Sequence, residues 1–164
     1  MILGLDLAAK EEKRTGFFYV KDEPIFGVLY KNEEIIELIK KENFKYIFID
    51  APLSYNYPYR IEEKLLYKEG FRPLPLSLKS MKLLYERANY IKNKIEEIKN
   101  IEVFETFPRA VEKILNLRYE YFKSIFKYRD IYDAYLSFLS GLFYLNRKYK
   151  KYGKLVLPFL KDEK

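Results

Sequence analysis

Apolar and polar positions along this chain follow two periods. Short apolar runs, rich in β-branched and aromatic residues and bounded by turn residues, read as strands over residues 2–8, 15–20, 25–30, 46–49 and 101–104. Lys21, Asp22, Glu23 and Pro24 punctuate the second and third runs as a hairpin, so the first three strands form an antiparallel meander. Asn32 caps a helix with Glu33 and Glu34 in its first turn and Ile35, Ile36, Leu38 and Ile39 on its buried side. That helix leads into the 46–49 run, and such a crossover predicts parallel pairing with an earlier strand. From Ser80 to a stop at Asn100, Met81, Leu84, Tyr85, Ala88, Ile91, Ile95 and Ile98 keep the helical period. Residues 51–77 are irregular, carry Pro52, Pro58, Pro73 and Pro75, and hold one short helix over 61–68. Pro108 opens a further helix with Val111, Ile114 and Leu115 buried. A short helix over 120–127, a long one over 130–148 and an edge strand over 154–158, closed by Pro158, complete the pattern. No repeat or linker divides residues 1–164, which read as a single α/β domain.

Composition narrows what such a domain does. With 49% apolar and 34% charged residues the chain is not disordered, and no apolar run is long enough to span a membrane. The N-terminal apolar run is broken by Asp6 and lacks a basic lead, unlike a signal peptide. The absence of Cys removes disulfides and thiolate metal sites and suits a cytoplasmic location. The absence of His leaves catalysis to carboxylates, Lys, Tyr, Ser, Thr, Arg or an oxygen-liganded metal. A net charge of +7 points to an anionic partner, nucleic acid first, although a Lys-rich surface alone produces the same number.

The acids carry the chemistry. The run ending at Ile49 stops in Asp50, Ala51 and Pro52, and proline forces the chain out of the sheet. Asp50 therefore stands at the carboxyl end of a central strand, where open α/β sheets place ligands. Asp6 ends the first strand in the same way, and Glu105 the fifth. On the last long helix Asp130 and Asp133 are three apart, above a stripe of Ala134, Ser137, Ser140 and Gly141 that lets the helix lie close to a sheet. Ile131, Tyr135, Phe138, Leu142 and Leu145 form the neighbouring apolar arc. Carboxylates gathered in one place repel unless a cation joins them, and oxygen ligands alone suit Mg²⁺ or Mn²⁺. Taken singly, each acid reads first as a cap or a helix N-terminal residue. Taken jointly, Asp6, Asp50 and Asp133 read as metal ligands, with Asp130 or Glu105 as a fourth ligand or a base.

Ordered motifs along nearly the whole chain give a resemblance. They are Gly4, Asp6 and Lys10 with Thr15 and Gly16; Ile49, Asp50, Ala51, Pro52 and Ser54; and Arg60 with Glu63. They continue with Arg72, Pro73, Pro75, Met81, Arg87, Glu105 with Pro108, Asp133 with Ala134, and Val156 with Pro158. The chain resembles domain of unknown function family 429, described as predicted nucleases of the ribonuclease H-like fold. The resemblance implies a mixed five-stranded sheet in the order 3-2-1-4-5 with helices on both faces. It also implies a metal-dependent nuclease using Mg²⁺ or Mn²⁺, with Asp6, Asp50 and Asp133 on the metal and metal-bound water as nucleophile. Asp50 one strand after the meander, and the spacing of Asp130 and Asp133, are similar to Holliday-junction resolvases. Such relatives often act as dimers, so the resemblance leaves a homodimer open.

Basic residues suggest how a polyanion is held. Arg60, Arg72 and Arg87 lie in or just after the irregular section and Lys10 follows the first acid, so a phosphate-gripping cluster is one reading and ordinary salt bridging the other. Thirty residues are Tyr or Phe, and those at helical spacing read as core. Tyr55, Tyr57 and Tyr59 in the proline-rich loop are better candidates for stacking on bases. Two other functions share these features. One is a nucleic-acid-binding module without catalysis. The other is an ATP-binding phosphotransferase of the actin-like or sugar-kinase type, which the six glycines of this chain serve poorly.

Overall fold

A computed structural model describes residues 1–56, 60–98 and 100–161. Strands β1 (Ile2–Asp6), β2 (Thr15–Val20) and β3 (Pro24–Leu29) form the antiparallel meander, and α1 (Asn32–Lys41) crosses to β4 (Tyr46–Ile49), which runs parallel to β1. Helices α2 (Ile61–Lys68) and α3 (Lys79–Ile98) precede β5 (Glu102–Glu105), parallel to β4. Then come α4 (Pro108–Leu115), a 3₁₀ turn at Tyr119–Tyr121, α5 (Arg129–Leu145), and a terminal hairpin of β6 (Tyr149–Tyr152) and β7 (Leu155–Pro158).

The fold is α/β with a mixed sheet, but the sheet has seven strands in the order 3-2-1-4-5-7-6 rather than five. The expected edge strand β7 lies inside the sheet, parallel to β5, and β6 forms the edge beyond it. All four residues of β7 are buried, as befits a strand flanked on both sides. Lys150 and Lys151 on β6 are exposed, a common protection for an open edge. The long helix ends at Leu145, where Asn146 caps it and Arg147 takes a left-handed turn (φ 57°) that starts the hairpin. The expected helix over 120–127 reduces to the 3₁₀ turn, and Lys31 rather than Asn32 is the α1 cap.

Strands β1 to β5 divide their residues between two cores, because successive side chains point to opposite faces. Leu3, Leu5, Ile47 and Ile49 pack against α1 and α3 through Ile35, Ile39, Ala88 and Ile91. Ile2, Phe18 and Phe48 pack against α5 through Ile131, Ala134 and Phe138. Helix α5 lies on this second face with little between it and the backbone. A Cβ at Gly4 would meet the Ala134 carbonyl, and one at Gly16 would overlap the Asp130 carbonyl. The small-residue stripe of α5 meets the sheet as expected: Ala134, Ser137, Ser140 and Gly141 are buried, and Ser140 shares a hydrogen bond with Thr106 (2.7 Å). The apolar arc is shorter than expected, since Leu142 and Leu145 are exposed.

Candidate functional site

Register decides which acids meet. Leu5 pairs with Ile49 across β1 and β4, and the Asp50 N–H donates to the Leu5 carbonyl (2.9 Å), so Asp6 and Asp50 come side by side. Both are in phase with Gly4 and Phe48 and so belong to the face that α5 covers. Their side chains share a hydrogen bond. Gly16, the antiparallel partner of Asp6, brings the first turn of α5 against this corner, and with it Asp130.

Electrostatics mark the pair. Burial raises the Asp6 carboxyl well above the ordinary carboxylate range, and the charges of Asp50 and Asp130 raise it further. Burial also pushes Asp50 up to about 7, although the hydrogen bond from Asp6 and the nearby Arg109 guanidinium both favour its ionised form. The two carboxyls titrate as a coupled pair, each harder to ionise than a free carboxyl. Two cavities flank the pair. Asp6 and Asp130 line a polar one of about 520 Å³ with Lys13, Arg14 and Tyr30. Asp50 borders an apolar one of about 190 Å³, walled by Pro52, Leu66, Leu84 and Phe107.

The acids of α5 are paired with arginines. Arg14 Nε donates to Asp130 (2.9 Å), and Arg109 is ion-paired with both Asp133 and Glu112, the latter at 2.8 Å. Glu112 also accepts the Tyr132 hydroxyl (2.6 Å). Among the described residues no group of three Asp or Glu side chains is arranged to hold a metal ion.

Glu105 is tied to Arg60 rather than to the aspartates, although its charge also raises Asp50 and both border the apolar cavity. Because Ile49 pairs with Glu105, the pleat turns Glu105 to the face of α1 and α3, and Thr106 takes the place beside Asp50. Its carboxylate accepts the Leu53 N–H (3.1 Å) and two N–H groups of Arg60 (2.7 and 3.0 Å), while Arg60 also bonds Glu63 and the Ser54 hydroxyl. Arg60, Glu63 and Glu105 are all buried. Arg60 thus braces the turn after Asp50 and has no fork left for phosphate. Arg87 is committed as well: it donates to the Ala8, Lys10 and Tyr30 carbonyls and to Asn32, clamping the loop after Asp6. Thr15 reinforces that loop by accepting the Ala8 N–H (3.1 Å). Arg72 and Lys10 are exposed, Arg72 lying 5.9 Å from the Tyr67 ring centroid. Tyr55 is not free to stack on a base, because it packs on Tyr85 (5.4 Å) and donates to the Leu76 carbonyl. Tyr57 and Tyr59 lie outside the described residues.

Arg14 and Arg109 were not among the residues the sequence singled out. Arg109 carried a signal, since a cation in the first turn of a helix opposes the macrodipole and implies another use. No family model, no curated protein and no solved structure matches the chain.

Proposed function

We propose that the chain hydrolyses phosphodiester bonds of nucleic acid with Mg²⁺ or Mn²⁺ held by Asp6 and Asp50. The observation that carries this reading is the meeting of two half-buried carboxyls at the carboxyl ends of neighbouring parallel strands, joined by a hydrogen bond. A hard dication held by both removes the repulsion between the two charges, and the donors are oxygens only. Asp130 shares the polar cavity with Asp6 and would serve as third ligand on leaving Arg14, as Asp133 would on leaving Arg109. A cation bound there would polarise a phosphoryl oxygen and lower the pKa of a water. Arg14, which bonds Asp130 through Nε and lines the same cavity, places a guanidinium beside the acids that suits phosphate oxygens, whereas Arg109 is committed to Glu112 and Asp133. The net charge of +7 favours a polyanionic substrate.

Calorimetric titration with Mn²⁺ tests the reading. Wild type should bind, and Asp6→Asn and Asp50→Asn should not. Labelled DNA and RNA should be cut by wild type and left intact by Asp6→Asn. Full cleavage by that variant, with its fold retained, would overturn the scheme.

A second reading, a nucleic-acid-binding module without catalysis, draws on the pairing of both α5 acids with arginines. It expects binding without cleavage and no change on Asp6→Asn.

A further inference from the structure

The segment between α4 and α5 is a platform with two unlike sides. Its underside is aromatic and fixed: Phe126 is buried against Phe18 and Phe26, and Phe122 packs on Tyr132 and Tyr135. Its backbone is tied by short turns, with the Phe122 N–H on the Tyr119 carbonyl (2.9 Å) and the Phe126 N–H on the Phe122 carbonyl (2.8 Å). The outer side carries Arg118, Lys123, Lys127 and Arg129, all exposed, against one acid, Glu120. Between these cations stand Tyr121, 63% exposed, and Ile125, 57% exposed.

The cations are arranged on rings. Lys123 and Arg129 lie 5.7 and 5.9 Å from the Tyr119 centroid, and Lys127 lies 5.2 Å from that of Tyr128. The Tyr128 ring also takes Arg14, at 4.3 Å, and Arg14 reaches Asp130. Rings and cations thus cluster along the segment, and Tyr128 with Arg14 joins its α5 end to the cavity that Asp6 and Asp130 line.

We propose that this platform is the binding track for an unpaired nucleic-acid strand, which lies along Arg118–Arg129 and is led by Arg14 to the Asp6 corner. The proposal rests on the nucleic-acid reading above and names the form of the substrate. The exposed Tyr121 ring set among exposed cations offers a stacking face beside phosphate contacts, the pair of contacts a single strand uses. A duplex keeps its base faces stacked inside and cannot use Tyr121. An acidic polypeptide would satisfy the cations but leave Tyr121 and Ile125 uncovered.

The test is fluorescence anisotropy with labelled oligo(dT), oligo(U) and a duplex of equal length, in EDTA so that no metal contributes. Wild type should prefer the single strands. Tyr121→Ala removes an exposed ring that supports no core contact, and should weaken single-strand binding about 5- to 150-fold while duplex binding stays within about twofold. Lys123→Gln with Lys127→Gln should weaken both and reduce the salt slope for a single strand by roughly 1.4. Circular dichroism confirms that each variant is folded. Equal affinity for duplex and single strand, or loss with the lysines but not with Tyr121, would overturn the track and mark a general polyanion surface. Cleavage by wild type with no dependence on Tyr121 would also overturn the track while sparing the nuclease reading. Single-strand binding that needs Tyr121, with no Mn²⁺ binding at Asp6, would keep the track and remove the nuclease.

Discussion

Replacing Asp50 by asparagine should make the metal-free protein more stable, and by an amount that depends on pH. In the folded chain, burial pushes the Asp50 carboxyl from 3.8 up to about 7. Across that window the folded chain holds a proton that the unfolded chain has already lost. The Asp50 contribution is therefore fully present below about 3.8 and is lost as the pH rises through about 7. At 1.36 kcal/mol per pH unit the loss is on the order of 4 kcal/mol, an upper figure because Asp6 titrates with its neighbour. The amide introduced by Asp50→Asn keeps the shape and a hydrogen bond to Asp6 without a charge to desolvate. At pH 8 in EDTA the variant should exceed wild type by up to that amount, or about 8 to 16 °C in melting midpoint for a chain of this length. At pH 4 the two should nearly coincide. Taking the difference between variant and wild type removes groups of opposite sign, such as Glu69, which Lys150 and Tyr152 hold below its usual range. Urea unfolding followed by tyrosine fluorescence suits a protein with 17 Tyr and no Trp. A difference that does not change between pH 4 and pH 8, or a variant less stable than wild type at pH 8, would refute the desolvated pair. Saturating Mn²⁺ should stabilise wild type at pH 8 and leave the variant unmoved.

Two substitutions probe the scaffold around the pair. Gly16→Ala should cost about 3 kcal/mol or more by thermal melting, because its Cβ must push the Asp130 backbone away, and it should weaken Mn²⁺ binding in whatever protein remains folded. Arg60→Met should cost roughly 3–5 kcal/mol at pH 7 by leaving Glu63 and Glu105 buried without their cation; the loss should shrink in acid as Glu105, which burial already raises above its usual range, takes up a proton, and an unchanged melt would show that the network is not needed.

Much of the architecture was legible along the chain. The apolar runs at 2–8, 15–20 and 46–49 and the 3.6 period from Met81 to Ile98 each lie within one segment, and each formed the expected kind of element, the first ending at Asp6. Asp6 and Asp50 could be singled out because each interrupts an apolar run just where a strand must end. Strand β6 was hidden, since its sequence of Tyr149, two lysines and Tyr152 has no apolar alternation. Its two lysines face solvent along an edge, and only Tyr152 is buried.

What remained was set by pairing between distant segments. Whether Glu105 or Thr106 stands beside Asp50 depends on the register of β5 against β4, and a slip of one residue exchanges the faces. The fates of Arg60, Arg87, Arg109 and Arg14 depend on which carboxylates and carbonyls the fold brings within reach, 45 residues away for Arg60 and Glu105 and 116 for Arg14 and Asp130. The sequence by itself determined most of the elements and the two aspartates, because hydrophobic period and strand ends are local properties. Only the tertiary structure decided which acids meet, which are neutralised and where β7 enters the sheet, because register and ion pairing are fixed by contacts between segments far apart in the chain.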